Sequence, residues 1–186
     1  MRANNYLILG LLILISSSCS IKGLFSDYKK VNKEYPRLLK KVTNKTTICH
    51  TSYSDSCQVL VLNAQELVTC LDVEDKIILY LWSPHCSSPY CYGLDRVQAY
   101  CTEKGLKLYV VADYYDPQSM MAYYNLEFPI IGIDMTTYKN KLTPVYTKKF
   151  LEDLSIFREK DNSDRLFYLE KGKFIRSFRV LEEVQQ

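Results

Sequence analysis

The run Lys76-Ile-Ile-Leu-Tyr-Leu-Trp82 constrains the fold more than any other stretch of this chain. It is almost unbroken apolar and rich in β-formers. A half-solvated strand would alternate apolar and polar residues, so a run without alternation predicts a central strand covered on both faces. Two covering layers must come from the rest of the chain. At 186 residues there is enough chain for one domain with a substantial core, and too little for two.

The flanking segments supply those layers. Gln58-Val-Leu-Val-Leu-Asn63 reads as a short strand, and Asn63 with Glu66 reads as a capping box opening a helix to about Val73. After Trp82 comes Ser83-Pro-His-Cys-Ser-Ser-Pro-Tyr-Cys91. Ser88 and Pro89 read there as N-cap and first position of a helix to about Lys104, with Leu94, Val97 and Cys101 on its apolar face and Gly105 as its stop. Leu106–Ala112 is a second buried strand, and Asp116-Pro117 opens a helix to about Leu126. Phe128–Asp134 reads as a short strand, and Thr143-Pro144 opens a helix to about Phe157 with Leu151 and Leu154 inward. Glu159–Ser163 is a charged loop. Asp164–Glu170, Lys171-Gly172 and Lys173–Phe178 read as a hairpin. Alternating strands and helices demand an α/β fold with a mostly parallel central sheet.

The N-terminus has a different character. Arg2, the apolar run Tyr6–Ile15, and Ser16-Ser17-Ser18 before Cys19 describe an export signal. Ten apolar residues span only about 15 Å as a helix, roughly half a hydrocarbon core. Small residues ending on Cys19 resemble a bacterial lipobox, with Ser16 where lipoboxes usually carry Leu. That resemblance implies acylation of Cys19, removal of residues 1–18, and a protein held at the bacterial cell envelope, facing the periplasm or the exterior. Between Ser20 and Lys45, Lys22, Lys29, Lys30, Lys33, Arg37, Lys40, Lys41 and Lys45 face only Asp27 and Glu34, so residues 19–48 read as a basic, solvated tether before a domain at 49–186. The basic charge lies in this tether, which gives no footprint for nucleic acid.

Setting Cys19 aside leaves Cys49, Cys57, Cys70, Cys86, Cys91 and Cys101, an even number in a chain bound for an oxidising compartment. Cys49 and Cys57 bracket a polar stretch that a disulfide between them would close. Cys70 and Cys101 fall on apolar helix faces as small core residues.

With the strand ending in Trp82, Cys86 and Cys91 between strand and helix, and the glycine-turn hairpin, residues 58–178 resemble the thioredoxin superfamily, within its exported, membrane-tethered branch. That resemblance implies a thioredoxin-like fold, a central mixed sheet with helices on both faces, and thiol–disulfide exchange with protein thiols and disulfides through Cys86 and Cys91, with no cofactor. Two departures stand beside it. Four residues separate the cysteines where two are usual, and Asp164 or Arg165 approaches the penultimate strand where the family places a proline. By family position Cys86 is the nucleophile; by the helix reading, Cys91 in a first turn has the better stabilised thiolate. His85, adjacent in sequence, would add to either. Two further readings stay open. One is metal binding, for copper(I) delivery or less well zinc, through both cysteines with His85 and with His50 as a further ligand. The other is a redox-inert binding module offering a surface built from Tyr109, Tyr114, Tyr115, Tyr123, Tyr124, Tyr138 and Tyr146.

Overall fold

The computed structural model describes residues 23–42, 49, 59–157 and 163–185. The predicted signal segment with Cys19, together with His50, Cys57 and most of the Glu159–Ser163 loop, lies outside them.

The elements run α1 (Tyr28–Glu34), β1 (Leu39–Lys41), β2 (Val59–Leu62), α2 (Ala64–Leu71), β3 (Lys76–Trp82), α3 (Leu94–Glu103) and β4 (Lys107–Ala112). They continue as α4 (Pro117–Met120), β5 (Ile131–Ile133), α5 (Met135–Tyr138), α6 (Thr143–Asp153), β6 (Leu166–Glu170), β7 (Lys173–Phe178) and a closing 3-10 turn, Leu181–Gln185. The strands form one seven-stranded mixed sheet in the order β1-β2-β5-β4-β3-β6-β7. The first five in that order are mutually parallel, while β6 runs antiparallel to β3 and to β7. The protein is therefore α/β, with the long apolar run inside the sheet between β4 and β6.

Every residue of β3 from Ile77 to Trp82 is buried. Successive side chains point to opposite faces, so both faces of this strand are covered. Leu67 and Leu71 of α2, Leu94, Val97 and Cys101 of α3, and Phe150 and Leu151 of α6 join it in a single apolar core. The local signals explain several boundaries. Asn63 Oδ1 accepts from the Glu66 amide at 3.0 Å and Glu66 Oε2 accepts from the Asn63 amide at 2.8 Å, the reciprocal capping box that starts α2. At the end of α3, the Leu106 amide bonds Cys101 O and the Gly105 amide bonds Thr102 O, with Gly105 at φ +65°. That is a Schellman stop. Lys171 and Gly172 both take positive φ, the two-residue hairpin turn whose twist matches its strands.

Three expectations are corrected. Residues 19–48 are not simply a tether. Val31 of α1 is buried, β1 forms the parallel edge of the sheet, and Lys41 Nζ reaches Asp134 Oδ2 at 2.9 Å, at the N-cap of α5. The apolar positions Val31, Leu38 and Leu39 outweigh the surrounding lysines, whose charged ends stay in solvent while the backbone packs.

The second correction concerns the cysteines. Cys49 is bonded to Cys70, not to Cys57, with Cα atoms 5.0 Å apart. Cys70 is thus no free core residue, although its side chain is buried on the inner face of α2. Cys101 is free and buried, and burial pushes its thiol up to about 12.

The third concerns the tyrosines. Tyr109, Tyr114, Tyr115, Tyr138 and Tyr146 are buried, whereas Tyr123 is 79% exposed. Most of the expected tyrosine surface is core, because large amphipathic rings fill space; the Tyr115 hydroxyl donates to Ile133 O, while that of Tyr109 is buried without a partner.

The Cys49–Cys70 bond spans 21 residues. A Cys49→Ala/Cys70→Ala variant is expected to lose about 3 kcal/mol of unfolding free energy, the chain-entropy value for a loop of that length. Urea titration of the variant beside the parent measures the difference.

Candidate functional site

The loop from Ser83 to Gly93 leaves the C-terminal end of β3 and carries Cys86 and Cys91. The two are joined as a disulfide with Cα atoms 5.9 Å apart. Both are half-buried, in contrast to the fully buried Cys70.

The expected helix start at Ser88-Pro89 is not observed. Ser88 Oγ accepts from the Tyr90 amide at 3.3 Å and Ser88 O accepts from the Cys91 amide at 3.0 Å, a local turn that competes with helix formation. The helix opens at Gly93 as N-cap, and Cys91 stands ahead of it. The argument for a thiolate stabilised inside the first helical turn therefore falls away for Cys91.

Tyr80 explains the late start. Its ring is fully buried in β3, and its hydroxyl accepts from the Tyr92 amide at 2.9 Å while donating to Tyr92 O at 3.1 Å. Tyr92 in turn accepts from the Leu181 amide through its own hydroxyl at 3.1 Å. The chain is fastened at Tyr92 by tertiary bonds that exceed the pull of local propensity toward an earlier helix.

A second set of bonds fastens the other end. Asp113, directly after β4, is 7% exposed, and its amide donates to Trp82 O. The Ser83 hydroxyl donates to Asp113 Oδ2, and Arg165 Nη1 lies 2.7 Å from Ser83 Oγ, 3.1 Å from Leu81 O and 3.5 Å from Asp113 Oδ2. The Tyr146 hydroxyl donates to Asp113 O. Asp113 Oδ1 is buried with no hydrogen-bond partner. Burial drives the Asp113 carboxyl above its ordinary pKa, and the bond from Ser83 and the charge of Arg165 offset this only in part. Ser83 then holds the loop, since Ser83 O accepts from the Cys86 amide at 3.1 Å.

His85 is turned away from a simple pairing with its neighbour. Its Nε2 lies 3.0 Å from Asp116 Oδ1, its ring stacks on Tyr114, and its amide donates to the Tyr114 hydroxyl at 2.9 Å. For Asp116 burial acts upward, yet hydrogen bonds from Ser119 and His85 outweigh it, and the carboxyl settles below its ordinary value. His85 therefore braces the loop against the segment following β4. It borders a cleft of about 320 Å³ shared with Asp27, Glu34, Tyr114, Asp116 and Gln118.

The structure thus gathers Cys86, Cys91 and His85 on one loop and adds Tyr80, Ser83, Tyr92 and Asp113, which sequence reasoning did not single out, together with Tyr114 and Arg165, which it names in other roles. The visible hint was Asp113 directly after a buried strand, where an acid needs a partner. Among the described residues, no three His, Cys, Asp or Glu side chains form a group able to hold a metal ion. No protein-family model, curated protein or solved structure matches the chain.

Two outcomes follow. Tyr80→Phe leaves the buried amide and carbonyl of Tyr92 without their partner and is expected to cost about 1–3 kcal/mol, read by urea titration. Asp113 has a folded pKa above its ordinary 3.8, so its contribution is full below that value and is lost as pH rises through the folded pKa. Asp113→Asn should remove this fall, so the stability of the variant relative to the parent should rise as pH is raised from acid to neutral. Denaturation midpoints taken from acid to neutral pH give the sign.

Proposed function

We propose that this protein is a thioredoxin-like thiol–disulfide exchange protein of the bacterial cell envelope, anchored through Cys19 and working through Cys86 and Cys91. The observation that carries the proposal is the half-exposed disulfide on the loop leaving the central strand, where the other disulfide among the described residues has one sulfur-bearing residue sealed in the core. The fold assignment draws support from a parallel β4-β3 pair continued by the antiparallel β6-β7 hairpin. The anchor rests on the sequence before Cys19. Among the described residues no helix is long and apolar enough to cross a membrane.

In the oxidised form, a partner's thiolate attacks Cys86 Sγ, a mixed disulfide forms, and the Cys91 thiolate leaves. A second thiolate of the partner then attacks its own sulfur in the mixed disulfide and releases Cys86. The partner gains a disulfide, and this protein gains two electrons and two protons as a dithiol. Run in reverse, the same steps reduce a partner. Cys86 is assigned the attacked sulfur by its place nearer the strand.

A redox-inert module, with Cys86–Cys91 as a staple, is favoured by one observation: the loop is fastened at both ends, at Ser83 and at Tyr92. The reduction potential separates the readings. Exchange predicts a value for Cys86–Cys91 in the range of roughly −120 to −270 mV, while a staple lies below about −300 mV. Measurement in glutathione buffers with mass spectrometry resolves this pair from Cys49–Cys70. Exchange further predicts that Cys91→Ser accumulates mixed disulfides with envelope proteins through Cys86, and that Cys86→Ser/Cys91→Ser accumulates none.

A further inference from the structure

We infer that the face built from Leu24, Phe25 and Leu142 docks on an anionic phospholipid bilayer, fixing how the domain stands on the membrane. This rests on the proposed anchor at Cys19 and is independent of the exchange chemistry.

The face is made by two segments distant in sequence. Phe25 pairs with Leu142 as an isolated antiparallel bridge, the Thr143 amide donates to Leu24 O at 3.0 Å, and the Ser26 amide donates to Lys141 O at 3.0 Å. Leu24, Phe25 and Leu142 are 38%, 51% and 38% exposed, so three large apolar side chains meet solvent together on backbone held by hydrogen bonds. Beside them lies a cavity of about 590 Å³ lined by Phe25, Tyr28 and Met135 together with Lys29, Lys30, Lys139 and Lys141, all four lysines exposed. Asp27 is the carboxylate lining the same cavity. An apolar patch beside exposed cations fits an interface where apolar groups enter the acyl boundary and ammonium groups meet lipid phosphates.

The length of chain selects the bilayer as occupant. Only five residue steps separate Cys19 from Leu24, at most about 18 Å of extended chain. A folded domain of this length has a radius of gyration of about 15 Å, so its far pole lies well beyond such a leash. With an acyl chain on Cys19, the face at Leu24 and Phe25 is the one held at the bilayer. Val73, 70% exposed and placed before the N-terminal end of β3, lies at the opposite end of the sheet from the chain that meets Tyr115 after β4.

The test uses the full chain made in a lipoprotein-processing bacterium and reconstituted into phosphatidylglycerol–phosphatidylcholine vesicles with brominated acyl chains. Trp82, the single tryptophan and 6% exposed, supplies a constant background. Phe25→Trp, and separately Leu142→Trp, should show blue-shifted emission quenched by the brominated chains, and Val73→Trp should show neither. Lys139→Glu/Lys141→Glu added to Phe25→Trp should reduce the quenching. Flotation with the vesicles reports the anchor separately. If the chain floats but the indoles at 25 and 142 are quenched no more than that at 73, the docking face is wrong and the anchor stands. If the chain does not float, the anchor reading and the docking face fall together, while exchange at Cys86 and Cys91 is untouched. Blue-shifted emission already complete without vesicles would mean that protein covers the patch, which also overturns the proposal.

Discussion

The burial of Asp113 is the constraint on which the upper rim of this molecule depends. A carboxylate placed at the end of a buried strand must be protonated or paired, because an unpaired buried charge costs several kcal/mol. The chain answers with Ser83 from the strand beside it and Arg165 from the approach to β6. Those partners come from segments far apart in sequence, so satisfying one acid brings together the exits of β3 and β4 and the entrance of β6. The cysteine loop begins at the residue so fixed. Its geometry is inherited from the polar cluster beneath it, not from a helix that would otherwise have started inside it.

The same logic distinguishes the two disulfides. Cys49–Cys70 joins an inner helix position to the chain before β2, where core packing surrounds one partner. Reducing agents and partner proteins reach such a bond poorly. Cys86–Cys91 spans a short turn held at Ser83 and Tyr92, with both cysteines partly open to solvent. Anchoring both ends of the turn holds the two cysteines near each other while each stays partly exposed. How strongly the turn is held sets where the balance lies between an exchanging pair and a staple.

Much of the scaffold was legible because its signals are local. The β3 run ends where burial on both faces required, the Asn63–Glu66 box opens α2, Gly105 closes α3, and Lys171-Gly172 turns the hairpin. What was not legible depends on distant partners. Ser88-Pro89 has sound helix-opening chemistry, yet Tyr80 claims both backbone groups of Tyr92 and the helix waits until Gly93. Lysine density hid β1, because a three-residue edge strand needs only a few inward apolar side chains. Cys49 reads with Cys57, its neighbour across a polar stretch, whereas its partner Cys70 lies on a helix face that the sequence marks only as apolar. In the site, the cysteines and His85 were visible by type and spacing, whereas Asp113 and Arg165 gain meaning only through each other.

Parallel topology also determines where the parts of this molecule meet. Since β2, β5, β4 and β3 run the same way, the loops leaving β3 and β4 emerge at one end of the sheet. The N-terminal segment is drawn to that end as well: Ser26 O accepts from the Tyr115 amide, and Gly23 packs so closely on Tyr114 that a Cβ there would lie 2.8 Å from its ring. Tyr114 in turn carries the His85 amide. A short run of contacts thus links the chain nearest the proposed anchor to the loop bearing Cys86. On the proposed reading, the leash that holds the domain at the envelope also holds its disulfide near the membrane surface, and the thiols within its reach are those of proteins that sit there.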